Sequence, residues 1–257
     1  MTIKKDLAIE KMIDVQGLYF YDGNKKILDN ISFVVPKGKV CAFIGPNGAG
    51  KTSTIKCITT LYTFNQGTIF INNINNKNHE SLSCIGYVPE KENFPKMSAI
   101  DYFGEIAQYN GVDYNDIKSR VNQLADFFGV SDILTTNLSA LSSGQKKKML
   151  IMQSLLHNPS TLIMDEPTDN MDPSSRLLFF NLVKRLKKEG KTLLISSHNL
   201  SEIQLYVDYV IMIVEGKIVY QGKLDKKNLY ALYEKYDLHN KENLQPTNKT
   251  SSLEFLK

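Results

Sequence analysis

Residues 39–58 read KVCAFIGPNGAGKTSTIKCI. A short apolar, β-favouring run breaks at a glycine-rich stretch and resumes as a helix-favouring one. The reading is a strand buried on both faces, a loop that curls back on itself, and a helix from near Lys51 to about Leu61. Gly45-Pro46-Asn47-Gly48-Ala49-Gly50-Lys51-Thr52 fits G-x-x-x-x-G-K-[ST], with Ser53 closing the run. Glycines let successive backbone N–H groups face one phosphate. Lys51 reaches the β and γ oxygens, and the Thr52 hydroxyl can bind Mg²⁺.

The rest of the chain is read around this unit. IDVQGLYFY and ISFVVPKG are β-rich, and the intervening YDGNKKI supplies Asp-Gly and Gly-Asn for a tight hairpin turn. GTIFIN and CIGYVPE are further strands. From about residue 97 to 156 the apolar spacing turns helical, in AIDYFGEIAQYNGV, NDIKSRVNQLADFFGV and GQKKKMLIMQSLLHN. STLIMDEP, KTLLISSH and DYVIMIVEGKIVYQG then read as strands, with RLLFFNLVKRLKKEG and LSEIQLYV as the helices between them. Alternating strands and helices imply a mostly parallel sheet. The expected fold is therefore α/β: a P-loop core, an N-terminal antiparallel β subdomain and an inserted helical subdomain over about 97–156. A last helix is expected over 225–236, and a polar, mobile tail from 237 to 252.

A magnesium site beside a phosphate loop needs a carboxylate from a neighbouring strand. STLIMDEP supplies one: four mostly apolar residues carry the chain through the sheet and deliver Asp165 at its end. Asp165 is expected to hold Mg²⁺ through water, and Glu166 to face the γ-phosphate, where it can orient the attacking water and accept its proton. GTPases, kinases and helicases share this much. A guanine-reading NKxD is missing, since NKKI, NKNH, NKEN and NKTS all lack the aspartate. Composition excludes more. A net charge of +4, from 31 Lys+Arg against 27 Asp+Glu, leaves no basic stripe for nucleic acid. The three cysteines, Cys41, Cys57 and Cys84, show no CxxC spacing, so reduced apolar thiols are expected. MTIKKDLAIEK has no apolar core of the kind a signal peptide needs. No apolar run reaches the ~18 residues of a membrane span.

One segment separates the remaining classes. Ser142-Ser143-Gly144, followed by Gln145 and three lysines, leaves backbone amides open at a helix start, which is a second anion site. Leu141-Ser142-Ser143-Gly144-Gln145 resembles the LSGGQ signature of ABC transporter ATP-binding subunits, over about residues 10–225. Tyr21 matches the aromatic that stacks on adenine. Glu90 stands where the family usually has glutamine, and Met171-Asp172-Pro173 resembles its D-loop. His198 resembles its γ-phosphate-sensing histidine. The resemblance implies ATP and Mg²⁺ as ligands, with Thr52, Asp165 and Glu90 about the metal and Lys51, Glu166 and His198 in hydrolysis. It also implies two copies, or a copy and a paralogue, arranged head to tail, so that Ser142, Gly144 and Gln145 serve the ATP held by the opposite phosphate loop, with Asp172 also among the nucleotide-binding residues. A separate membrane permease would dock on the helical insertion and the loop from Glu90 to Pro95. The chain would then act at the inner face of the cell membrane.

Two departures stand out. Ser143 replaces a glycine beside a phosphate position, and Glu90 places a carboxylate where an amide is usual. Glu90 resembles the antibiotic-resistance and bacteriocin-immunity exporters, and the closing SLEFLK resembles a motif of drug and peptide exporters. The implied function is ATP-driven transport, most specifically export. The alternatives are a soluble ABC ATPase serving iron–sulfur assembly and a regulatory module that does not hydrolyse, against which Glu166 argues. Two-cassette translation factors and coiled-coil DNA-repair ATPases do not fit one short cassette. The triple lysine at 146–148 reads as a solvated helix face.

Overall fold

The computed structural model describes residues 10–91, 94–109, 111–224 and 228–241. The first strands form the expected hairpin. β1 (Lys11–Asp22) and β2 (Lys25–Pro36) are antiparallel and joined by Gly23-Asn24, with Gly23 at φ 57°. β3 (Val40–Ile44) leads through the phosphate loop into α1 (Lys51–Ile58). This helix stops three residues earlier than the sequence suggests. Thr60 adopts φ 60°, and the buried Asn76 amide donates to the carbonyls of Cys57 and Ile58 at 3.0 and 3.2 Å.

β4 (Gln66–Ile71), β5 (Ile74–Asn75), α2 (His79–Ser83) and β6 (Ile85–Val88) follow. Next come the helices α3 (Ala99–Tyr109), α4 (Tyr114–Phe128) and α5 (Ser143–Leu155), which fill the span read as helical. β7 (Thr161–Met164), α6 (Pro173–Lys188) and β8 (Thr192–Ser196) return the chain to the sheet. α7 (Leu200–Ile203) is a single turn where a longer helix is expected from LSEIQLYV, because the chain must turn to enter β9 (Tyr209–Val214). β10 (Lys217–Lys223) and α8 (Leu229–Lys241) complete the order. The expected tail begins at 237, yet α8 runs on to Lys241. The SLEFLK segment lies outside the described residues.

The strands form two sheets. One is antiparallel, in the order β2-β1-β4-β5. The other runs β10-β9-β3-β8-β7-β6, parallel from β9 through β6 with β10 antiparallel at its edge. The period-two alternation of a strand explains how one sheet serves two cores. Val40, Ala42 and Ile44 of β3 face the cluster that holds the helices, whereas Cys41 and Phe43 face the cluster under the antiparallel sheet. β7, β8 and β9 divide their side chains the same way. This is why those strands are apolar without alternation. None of the cysteines is paired, and burial pushes the Cys57 thiol up to about 12, as the apolar reading of these residues requires.

Candidate functional site

The parallel strands β3, β7 and β8 end side by side, and each delivers part of one site. β3 opens into the phosphate loop. Gly45 is pressed against β9, where an added Cβ would lie 2.1 Å from the Ile213 carbonyl oxygen. Gly50 takes φ 107°, just before the helix begins. Lys51 is 7% exposed; its ammonium donates to the carbonyls of Gly45 at 2.7 Å and Pro46 at 3.3 Å, and lies 3.9 Å from Glu166 Oε1. Burial holds its pKa below the usual lysine value, opposed by the carboxylates of Glu166, Asp165, Glu90 and Asp169.

β7 and β8 place the two carboxylates. The parallel register pairs Met164 with Ile195, so Asp165 and Ser196 stand at adjacent strand ends. The Ser196 hydroxyl donates to Asp165 Oδ1 at 2.6 Å and accepts the Glu166 N–H at 2.8 Å. The Asp165 N–H in turn donates to the Val88 carbonyl at 2.8 Å, which ties β7 to the approach to Glu90. Asp165 is fully buried, and its Oδ2 has no hydrogen-bond partner among the described residues. A buried, orphaned carboxylate oxygen at the mouth of a phosphate loop fits a magnesium site, directly or through a bound water.

Glu166 sits at φ 46°, a conformation that side-chain-bearing residues rarely adopt. Its Oε2 accepts the His198 N–H at 3.2 Å and lies 3.0 Å from His198 Nδ1. Asp169 approaches the other ring nitrogen at 3.9 Å. Burial raises the Glu166 pKa, opposed by His198 and Lys51. A carboxylate held above its usual range, aimed by a histidine and next to a phosphate-binding lysine, is suited to accept a proton from water. Gly45, Pro46, Asn47 and His198 line one cavity of about 630 Å³.

The remaining predicted residues fall elsewhere. Tyr21 is at the end of β1, 39% exposed, with its backbone N–H donating to Asn65 Oδ1. Asp172 caps α6 by accepting the Ser175 N–H at 3.0 Å. Ser142 caps α5 in a reciprocal box with Gln145: the Gln145 N–H donates to Ser142 Oγ, and the Ser142 N–H donates to Gln145 Oε1. Gly144 abuts the Asn170 carbonyl, which an added Cβ would meet at 3.1 Å. Among the described residues, no hydrogen bond or ion pair joins Ser142, Ser143, Gly144 or Gln145 to the phosphate loop.

The triple lysine corrects the sequence reading. Lys147 is 4% exposed, and its ammonium donates to the Glu90 carbonyl at 2.8 Å and the Pro89 carbonyl at 3.3 Å. Lys146 and Lys148 reach the carbonyls of Ser139 and Phe128. Lys146 and Lys148 stay partly exposed while their stems cross neighbouring segments, so the solvated-face reading fails at Lys147. Ser196, Asp169 and Lys147 are site residues that the sequence reading misses. Ser196 was legible in principle, two residues before His198 on a strand next to β7. Lys147 was not, because helical spacing alone does not tell which face of α5 the sheet covers.

A phosphate loop between strand and helix, with a second strand ending in Asp-Glu, defines a P-loop nucleoside triphosphatase of the α/β class. The chain belongs to the ABC transporter family, whose pattern matches residues 28–169, and it is an ATP-binding, ATP-hydrolysing subunit of that family. It is 38% identical to a putative ABC transporter ATP-binding protein of Mycoplasma pneumoniae, over 84% of this chain and 68% of that one. It is 32% identical to the lantibiotic transport ATP-binding protein SrtF of Streptococcus pyogenes, over 86% and 96%. Its fold superposes on a solved ATP-binding subunit of an ABC transporter with TM-score 0.80 at 25% identity, covering 90% of this chain and 98% of that one.

Proposed function

We propose that this chain pairs head to tail with a second ATP-binding subunit around two ATP molecules, and that the pair drives a membrane permease carried on a separate chain. The observation that carries this reading is the division of the site. Lys51, Asp165, Glu166 and His198 converge within one copy, while the capped start of α5 presents Ser142 and the Gly144 amide with no bond to them. A helix N-terminus favours an anion, and the capping box occupies only the Ser142 and Gln145 amides, so the first turn of α5 suits the γ-phosphate held by a partner. Gly45 to Ser53 cradle the phosphates, Tyr21 stacks on the base, and Asp172 lies at the junction.

Magnesium would be held by Thr52 and Glu90, with Asp165 reaching it through water, and would offset charge on the β- and γ-phosphates. Glu166 orients water on the γ-phosphate and takes its proton, and His198 keeps the carboxylate aimed. Loss of the γ-phosphate removes the contacts that hold the copies together, which is a shift in population between closed and open pairs.

The ATPase unit is residues 10–225, with the helical subdomain at about 97–156 and the C-terminal helix and tail beyond 226. No helix among the described residues is long and apolar enough to cross a membrane; in this reading the permease carries the spans. A cavity of about 540 Å³ lined by Lys56, Leu61, Tyr87, Pro89, Lys91 and Gln153 suits a permease segment at the inner membrane face. The similarity to a lantibiotic transporter subunit and the glutamate at position 90 favour export.

The test is purification from membranes with and without MgATP. A stoichiometric permease, and a Glu166→Gln protein that doubles in mass on MgATP, are the expected results. A Glu166→Gln protein that stays monomeric with saturating MgATP overturns the pairing. Recovery without any membrane protein overturns the transport role and favours a soluble ABC ATPase.

A further inference from the structure

Lys147 carries a charge into the interior, between two parts of the molecule. Its backbone belongs to α5, the helix that begins at the signature cap Ser142. Its ammonium ends on the carbonyls of Pro89 and Glu90, immediately after β6 of the parallel sheet. Lys147 itself is 4% exposed, and both bonds are part-buried. Four carboxylates face it electrostatically, those of Asp169, Asp165, Glu90 and Glu166, and they are the acidic groups of the nucleotide site. A lysine placed five residues into a helix works against the helix dipole, and the first turn of α5 holds no acidic residue to offset it. A buried ammonium is retained only where hydrogen bonds and opposite charge meet it. Here the hydrogen bonds come from the Pro89–Glu90 segment, and the opposite charge from Asp169, Asp165, Glu90 and Glu166.

We propose that Lys147 is a positioning residue that fastens the Glu90 segment to the signature helix, so that engagement of Ser142 by nucleotide moves or locks Glu90. The role rests on the reading that the first turn of α5 serves ATP. Lys147 does not touch the reacting atoms. It acts through the Pro89 and Glu90 carbonyls, and therefore sets where the Glu90 side chain stands relative to the metal donors Thr52 and Asp165. Two of the three ammonium donors are committed to that one peptide segment. Arginine can make the same bonds with a charge, glutamine can make them in part without one, and methionine fills the space with neither.

The experiment compares K147R, K147Q, K147M and S142A with wild type in the full-length chain, by MgATP turnover and by amide hydrogen exchange of peptides covering 85–91 and 45–53. K147M is expected to exchange faster than wild type at 85–91 without nucleotide and to lose the protection that MgATP confers there. Protection at 45–53 is kept. Its kcat falls about ten-fold or more, as expected for displaced catalytic geometry, while KM changes by less than about three-fold, the pattern of a group that acts after binding. K147R restores turnover and protection together, and K147Q lies between.

Wild-type exchange at 85–91 in K147M, with or without MgATP, overturns the proposal. So does a K147R protein that is folded yet as impaired as K147M. If K147M does not fold, the K147R and K147Q comparison decides: equal turnover and equal exchange in the two refute a role for the charge. S142A separates the underlying reading. If S142A hydrolyses ATP at the wild-type rate, the split site fails, whereas the nucleotide-free exchange of K147M still reports on the tie itself.

Discussion

Replacing Gly45 by alanine tests the phosphate loop through a contact whose size can be worked out. The new Cβ would sit 2.1 Å from the Ile213 carbonyl oxygen and 3.1 Å from the Ile213 side chain. An ordinary carbon–oxygen contact is about 3.2 Å or more, so something must move by roughly 1 Å. Ile213 cannot yield easily. It lies in β9, between β3 and β10, and its residue pairs with Ile218. The loop must therefore lift. Overpacking of this kind costs about 1–3 kcal/mol, which for a domain of this size lowers Tm by roughly 2–12 °C. The functional loss is larger. Lys51 donates to the Gly45 carbonyl at 2.7 Å, so lifting the loop carries the ammonium with it. A displacement of ~1 Å is expected to reduce kcat/KM about a hundred-fold. Gly190→Ala, after α6 and outside the phosphate loop, is the control. Nothing lies within 4 Å of its added Cβ, and its φ of 76° costs about 1–2 kcal/mol. Thermal denaturation and MgATP turnover of both variants check the reasoning. A G45A protein with wild-type Tm and kcat/KM, or one whose turnover is no worse than that of G190A, would refute it.

Glu166→Gln keeps an acceptor for the His198 N–H but loses its basicity, so turnover should fall about 10²–10⁴-fold with ATP affinity retained, as phosphate-release and nucleotide-binding assays would show. The same substitution has a signed effect on stability. Burial raises the folded-state pKa of Glu166, so its contribution is fully present below the unfolded pKa and is lost as pH rises through the folded value. Urea denaturation across pH should therefore show Glu166→Gln gaining on wild type as pH climbs through that window; a gap that narrows would contradict the burial argument. The acid limb of ATP turnover should likewise lie above the range of an ordinary glutamate, as a pH–rate profile would show. Asp165→Asn retains an oxygen for the Ser196 hydroxyl, so the fold should persist while the Mg²⁺ concentration for half-maximal turnover rises about 10–100-fold, measured by metal titration.

The phosphate loop, Asp165 and Glu166 were legible because each is a local pattern. A strand ends, a loop follows, and the residue types at the break have no cheaper reason to be there. The helical insertion was legible from spacing, and its three helices fall within the span read from sequence. What escaped depends on contacts far apart in the chain. α1 ends early because Asn76, eighteen residues beyond Ile58, takes its last carbonyls. Lys146, Lys147 and Lys148 look alike in sequence, yet each reaches the carbonyl of a different segment, and only Lys147 turns toward the sheet. The two-core division of the parallel sheet also hides, since strands buried on both faces lose the alternation that marks orientation.

The placement of Glu166 shows why these hidden contacts matter. A glutamate at φ 46° costs on the order of 1–3 kcal/mol, and such a conformation persists only where the surroundings over-determine it. Here they do so from β8. Ser196 Oγ takes the Glu166 N–H, the His198 N–H and ring meet its carboxylate, and the Asp169 N–H closes the turn onto its carbonyl. The same serine holds Asp165, so one hydroxyl positions the carboxylates proposed as proton acceptor and metal ligand together. Relaxing the backbone would turn the carboxylate away from Lys51, which it faces across 3.9 Å. The strain is thus inseparable from the placement of the carboxylate, and it is β8, not the Asp-Glu motif alone, that positions Glu166 for its proposed role as base.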